Sequence, residues 1–183
     1  MASAWRQDRS RQLQLLMKVL REDLGEASNR IRMVAGDVIP TIEEAPIFFA
    51  SDPNASRLLE FHRNHFNNDG NIEYEILCQL NLQDSVLTYT RELSAGNAPD
   101  FMLSPRQIIL SDVQSVDIEA RKIVHSISTG YEYVLDGAIS DDEEQVGTML
   151  KVSIFVAPPE NIILGQPIIE TFNRKLFVRA VPF

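Results

Sequence analysis

Apolar residues near the amino terminus recur at the spacing of one face of an α-helix. The intervals between them are three or four residues, so at about 100° per residue they form a stripe along one side. Neither proline nor a run of β-branched residues interrupts the stripe before the stop signals Gly36 and Pro40. The pattern therefore predicts a helix over residues 1–36. The positions expected to pack this helix on a sheet are Leu13, Leu16, Leu20, Leu24, Ala27 and Ile31.

After residue 41 the hydrophobic period changes from that of a helix to that of a strand. Apolar side chains alternate with polar ones over residues 72–82, which is typical of a half-buried strand. A turn at 83–85 and a hairpin loop at 67–71 separate this strand from its neighbours. Further strands are predicted at 57–63, 86–93, 107–110, 113–120, 131–135, 150–156 and 174–181.

One long helix followed by many consecutive strands indicates an α+β fold. We expect a long N-terminal amphipathic helix packed on antiparallel β-sheets. Residues 1–36 are expected to form the helix and residues 37–183 the β-sheet body, together one globular domain. No run of 18 or more apolar residues is present, so the pattern predicts no membrane span within these residues.

The charge is divided unevenly between these two parts. The chain of 183 residues has a formal net charge of −9. Residues 1–36 contribute a net +3, whereas residues 37–183 contribute −12. An acidic body argues against a general nucleic-acid binder, which needs a basic surface to displace counterions. The asymmetry favours different surroundings or partners for the helix and the body.

Four helix positions suggest a contact with another subunit. Leu15 and Val19 are four residues apart and lie on one flank of the helix, off the main stripe. Trp5 is an aromatic residue near the helix end, where little neighbouring sequence could bury it. Together with the basic Arg9, these residues form a candidate partner interface. The alternative is that a loop of the same domain covers this flank.

The candidates for metal binding and catalysis are weak. His62 and His65 are three apart on a predicted strand and would point to opposite faces, so they could not bind one ion. The acidic run at 136–144 could offer oxygen ligands to Ca²⁺, but such runs are more often solvated loops. Cys78 falls on an apolar register and is expected to be buried and inert. No catalytic motif is present, so no catalytic residue, metal site or cofactor is predicted.

Several segments resemble the minor pseudopilins of the J type, which belong to the type IV pilin-like proteins. The helix LQLLMKVLREDLGEA at 13–27 looks like the family's leucine-rich helix. ILSDVQSVDI at 109–118 is similar to the entry to a family strand, and FNRKLFVR at 172–179 to the last strand. LLEF at 58–61, IEYEI at 72–76 and LTYTR at 87–91 are similar to the first sheet. The peptidase site and apolar segment of such proteins have no counterpart in these residues.

The resemblance implies a pilin-like fold and a structural rather than enzymatic role. It implies a subunit that assembles with other minor pseudopilins at the tip of a type II secretion pseudopilus. A missing upstream helix would anchor it in the bacterial inner membrane, with the domain in the periplasm and the basic Arg6, Arg9 and Arg11 near the membrane. A minor pilin of a type IV pilus is equally allowed. A stand-alone extracytoplasmic ligand- or ion-binding module and a virion or phage-tail protein stay open as alternatives.

Overall fold

The computed structural model describes residues 2–27, 47–49, 56–69, 71–160 and 166–177. Over these residues the chain forms one N-terminal helix and nine strands arranged in two antiparallel sheets. The predicted α+β class, with a helix followed by antiparallel strands, is therefore confirmed. A short 3-10 helix, Asp100–Leu103, lies between two strands of the first sheet.

Helix α1 spans Ala2–Gly25, and it ends earlier than the sequence predicts. The expected single helix over 1–36 is wrong at its carboxyl end. The chain leaves the helix at Gly25, turns at Glu26 and makes an isolated antiparallel bridge from Ala27 to Arg63 of the first sheet. Glycine is a poor helix former, and pairing with the sheet replaces the next helical turn. Ile31 lies outside the described residues.

The first sheet contains five strands in the order β1-β2-β3-β4-β5, and every strand pairs with its sequence neighbour. A meander of this kind needs only short connections, as the turn between Gln83 and Val86 shows. The strands are β1 Ile47–Phe49, β2 Arg57–Phe66, β3 Ile72–Gln83, β4 Val86–Gly96 and β5 Gln107–Leu110.

The second sheet has four strands in the order β7-β6-β8-β9. Its centre is a long hairpin-like pair, β6 with β8, which stays in contact from Val113 opposite Val156 to Ser126 opposite Glu143. The short β7 pairs with the outer end of β6, and β9 pairs along β8. The strands are β6 Val113–Ser126, β7 Glu132–Leu135, β8 Glu143–Val156 and β9 Ile168–Phe177.

Strand positions are predicted well where apolar and polar residues alternate, and poorly elsewhere. β5 has the expected bounds. β6 and β8 extend further than the predicted 113–120 and 150–156, because their polar outer halves are paired to each other. The prediction of a strand at 174–181 is wrong at its start, since β9 already pairs with β8 from Ile168.

A single apolar core connects α1 with both sheets. Leu13, Leu16, Leu20 and Leu24 of α1 are fully buried in it. The core also contains alternate residues of β2, β3 and β4 from the first sheet and of β8 from the second. Ala27, beyond the end of α1, is partly buried against the same core. Burial of one helix face against sheet residues is the arrangement that the leucine spacing demands.

Candidate functional site

The carboxyl end of α1 is fastened to the first sheet by a buried carboxylate. Asp23 is only 2% exposed, and Arg63 of β2 donates from Nη1 to its Oδ1 at 2.6 Å. Arg91 of β4 donates from Nη2 to the same oxygen at 3.2 Å. The hydroxyl of Tyr89 donates to Oδ2 at 2.5 Å. The Cys78 thiol of β3 also donates to Oδ2 at 3.9 Å, so one side chain of the helix is held by four side chains from three strands.

Further contacts extend this group, which we call the Asp23 cluster: Asp23, Glu26, Arg63, Tyr89 and Arg91. Arg63 also pairs with Glu26, just beyond the end of α1. Arg91 donates from Nη1 to the backbone oxygen of Ser104 at 2.9 Å, which connects the cluster to the loop before β5. Two arginines face two carboxylates, so the cluster is formally neutral. When charges are paired in this way, the attraction between them repays part of the free energy that removing them from water costs.

Burial favours the protonated forms of the Cys78 thiol and the Tyr89 hydroxyl, which lie beside Asp23. Burial raises the pKa of the Cys78 thiol to about 12, and it raises the pKa of Tyr89 well above its ordinary value. Burial also raises the pKa of Asp23, against the lowering effects of the Tyr89 hydrogen bond and of the charges of Arg63 and Arg91. A thiol with such a pKa is a poor nucleophile. The arrangement therefore suits a structural connection better than covalent chemistry.

The amino-terminal half of α1 is fastened at a different place. Trp5 donates from its indole Nε1 to Oδ2 of Asp112 at 2.8 Å, and Arg9 donates from Nε to the same oxygen at 2.9 Å. Asp112 lies in the short connection between β5 and β6 with a positive φ of 64°. Its backbone oxygen accepts from Ala157 N at 3.0 Å. We call Trp5, Arg9 and Asp112 the Asp112 anchor.

The carboxylate of Asp112 is stabilised in its charged form. Partial burial alone would raise its pKa, but the hydrogen bonds from Trp5 and Arg9 and the charge of Arg9 outweigh burial. The pKa of Asp112 is therefore lowered from its ordinary value. Aspartate and asparagine are among the few residues that tolerate a positive φ, which suits Asp112 to this turn.

The structure corrects the expectation that Trp5, Arg9 and Val19 are exposed for a partner. Trp5 is 9% exposed and Val19 is 8% exposed, and both belong to the core. Arg9 is engaged by Asp112 of the same chain. Their partners come from the same chain, from Asp112 of the β5–β6 connection and from the core.

Leu15 is the predicted interface residue that stays on the surface. Its side chain is 48% exposed, and no other large apolar residue of α1 has comparable exposure. On the same side lie three exposed charged residues, Arg11, four residues before Leu15, and Lys18 and Glu22, three and seven residues after it. We call Arg11, Leu15, Lys18 and Glu22 the outer face of α1. It is a charged surface with one apolar side chain in its middle.

The two histidines of β2 do not form a metal site with each other. His62 Nδ1 lies 2.8 Å from Oε1 of Glu75, whereas His65 stacks on the ring of Tyr74 with centroids 4.7 Å apart. His65 Nε2 also lies 3.5 Å from Oε2 of Glu73, so each histidine has its own carboxylate partner on β3. Within the described ranges, no group of three or more His, Cys, Asp or Glu residues could hold a metal ion.

Carboxylates of the acidic run at 136–144 are bound by groups of the same chain. Asp136 pairs with Arg121 of β6 at 3.2 Å. Asp142 accepts from the hydroxyl of Ser128. Glu143 accepts from the backbone N–H of Ser140 at 2.9 Å and belongs to β8 rather than to a loop. These contacts use oxygens that a calcium site would need.

Sequence reasoning missed the Asp23 cluster and the role of Asp112, although a signal for the cluster was present. Asp23 falls on the same helix side as the buried leucines, two turns after Leu16. Arg63 continues the inward register of Leu59 and Phe61, and Arg91 continues that of Tyr89. A charged residue on an apolar register is unusual and needs a partner. Three such residues on three elements indicate that they meet one another.

Comparisons with known proteins assign the chain to no family. No protein-family model matches the chain, and no curated protein or solved structure matches it significantly. Of the described residues, no helix combines the length and the apolar character that crossing a membrane requires.

We expect Asp23→Asn to destabilise the protein by about 3–5 kcal/mol, because it removes the charge that faces two buried guanidinium groups. The measurement is the free energy of unfolding in urea. Glu22→Gln, an exposed neighbour on α1, is the matched control and should change it by less than about 0.5 kcal/mol. A loss below about 1 kcal/mol for Asp23→Asn would show that the cluster does not hold the helix.

We expect Asp112→Asn to cost about 1–2 kcal/mol at pH 7, because a charged acceptor of two hydrogen bonds becomes neutral while the residue still suits a positive φ. Since the folded pKa of Asp112 is lowered, this difference should be fully present above about pH 4, the unfolded range for aspartate. It should shrink as the pH falls through the folded pKa.

The check is urea unfolding of wild type and variant at pH 7 and at several values below pH 4. Asp141→Asn, at an exposed aspartate, is the control and should match the wild type at every pH. A difference between wild type and Asp112→Asn that does not change with pH would contradict the assignment.

Proposed function

We propose that this protein is a structural minor subunit of a type II secretion pseudopilus, where it belongs to the tip complex and supports protein export. The resemblance of its sequence to minor pseudopilins of the J type suggests that it belongs to this class of pseudopilus subunits. The observed layout of one N-terminal helix packed on antiparallel sheets is compatible with it. In this proposal the partners are other minor pseudopilins, and the protein is not an enzyme.

The observation that carries the proposal is the way α1 is held. The helix is fastened near its start by Asp112 and near its end by the Asp23 cluster, with a continuous apolar seam between them. A helix fixed at both ends moves as one body with the sheets. This suits a subunit whose helix sets the position of its body within a filament.

The outer face of α1 is the surface that we assign to the neighbouring subunit. Because Trp5 and Val19 are buried within the chain, Leu15 is the apolar residue available for such a contact. Arg11 and Lys18 beside it would select for an acidic or polar partner surface. A single apolar side chain surrounded by charge is compatible with a small and reversible contact.

The proposal further places the domain in the bacterial periplasm, anchored in the inner membrane by an upstream helix. Both features come from the resemblance and are tested by the upstream coding sequence. A short basic leader that ends in glycine and precedes about 20 apolar residues would support them. An upstream sequence without an apolar segment would contradict them.

We expect Leu15→Cys, labelled with a benzophenone maleimide, to form a photo-crosslink with another minor pseudopilin of the same secretion system. The label should react only at the introduced thiol, because Cys78 is buried and its pKa is raised to about 12. The measurement is the mass of the crosslinked species in a mixture of the purified subunits.

Phe101→Cys is the matched control, since Phe101 is 73% exposed but lies on the 3-10 helix and not on α1. It should give no crosslink to the same subunit. Equal crosslinking at both positions, or none at Leu15→Cys with any minor pseudopilin of the system, would refute the assignment of this surface.

A further inference from the structure

The outer end of the second sheet exposes an unusual number of large apolar side chains. Five of them have exposed surface within thirteen residues, on and around β7. Tyr131 is the most exposed of these, at 75%. Scattered exposed apolar residues are ordinary, but a group of this kind marks an interaction surface. We call it the β7 patch: Ile127, Tyr131, Tyr133, Val134 and Ile139.

β7 also presents backbone groups that can pair with another strand. It pairs with β6 and, among the described residues, with no second strand. Ser126 N donates to Tyr131 O at 2.9 Å, which makes these two residues a hydrogen-bonded pair. Such pairs recur at every second residue of an antiparallel ladder, so Tyr133 bonds to β6. The N–H and C=O groups of Glu132 and Val134 therefore point away from the sheet.

The segment around this edge is acidic, although Lys122 of β6 lies opposite Leu135 and Arg121 pairs with Asp136 at its far end. No lysine or arginine occurs between His125 and Lys151, whereas six aspartates and glutamates do. Glu132 and Glu144 lie opposite His125 on its two sides, so carboxylates flank the outer end of β6. Two copies of this chain joined edge to edge at β7 would bring these carboxylates together. Charge complementarity instead favours a basic occupant.

We propose that β7 is a docking strand for an extended, basic segment of a partner protein. The segment adds to β7 as a fifth strand of the second sheet, bonded to the backbone of Glu132 and Val134. Its apolar side chains lie on the face of Tyr133, and its lysines or arginines lie on the opposite face, near Glu132 and Glu144. Strand addition of this kind takes affinity from the backbone and specificity from alternate side chains. The inference does not depend on a role in secretion.

The test uses a short fluorescent peptide in which valine and lysine alternate, with binding followed by anisotropy. The wild-type protein should bind it, and the affinity should fall as salt is added. Val134→Pro removes an outward N–H without breaking a bond to β6, and proline is tolerated at such edge positions. It should weaken binding by about tenfold or more. Val134→Thr keeps the N–H and is the matched control, with binding within about threefold of wild type.

A second peptide, in which glutamate replaces lysine, separates the contribution of charge to binding from that of the backbone hydrogen bonds. It should bind at least about tenfold more weakly than the lysine peptide. Thermal unfolding of each variant shows whether the fold is retained. Three results would overturn the inference: no binding of the lysine peptide, equal binding by Val134→Pro and wild type, or equal binding of the two peptides. Self-association that Val134→Pro abolishes would also overturn it, because a second copy would then be the occupant.

Discussion

The rest of the structure depends on the burial of one carboxylate, that of Asp23, at the carboxyl end of α1. A carboxylate at this end of a helix is disfavoured by the helix dipole, and its burial adds a cost of desolvation. Arg63 and Arg91 reduce this cost, and they reach the carboxylate only if β2 and β4 stand at one particular register beneath the helix. The requirement for paired charge therefore fixes where α1 lies on the first sheet. It also agrees with the end of the helix at Gly25, where Glu26 turns back toward Arg63.

Asp112 imposes the matching constraint at the other end. It accepts from Trp5 and Arg9 of α1 with its side chain and from Ala157 with its backbone oxygen. One residue of the β5–β6 connection thus joins the helix to the point where the chain passes from the first sheet to the second. With both ends held, α1 is fixed relative to the sheets, and the surfaces that we propose for other proteins are its outer face and the edge at β7. The two surfaces differ in charge, because α1 lies in the basic segment and β7 in the acidic body.

The periodicity of the sequence predicts much of this fold. The Asp23 cluster and the Asp112 anchor, however, form through contacts between residues that are distant in the sequence. Alternation predicts β3 and β5 closely, and the leucine spacing identifies the buried side of α1. The apparent isolation of Trp5 misleads, since its partner Asp112 is 107 residues away. The polar outer halves of β6 and β8 show no clear alternation, because strand pairing rather than burial holds them. The helical stripe continues past Gly25, but tertiary contact with Arg63 decides where the helix stops.

The most direct test of this account is native-state hydrogen exchange of the amides of α1. If the Asp23 cluster and the Asp112 anchor make the helix one unit with the sheets, the amides in the middle of α1 exchange only through global unfolding, at the same free energy as those of β3 and β4. Asp23→Asn then lowers the protection of the whole molecule together. Exchange of α1 at a much lower free energy than the sheets in the wild-type protein would contradict the account, because the helix would then open independently of the body.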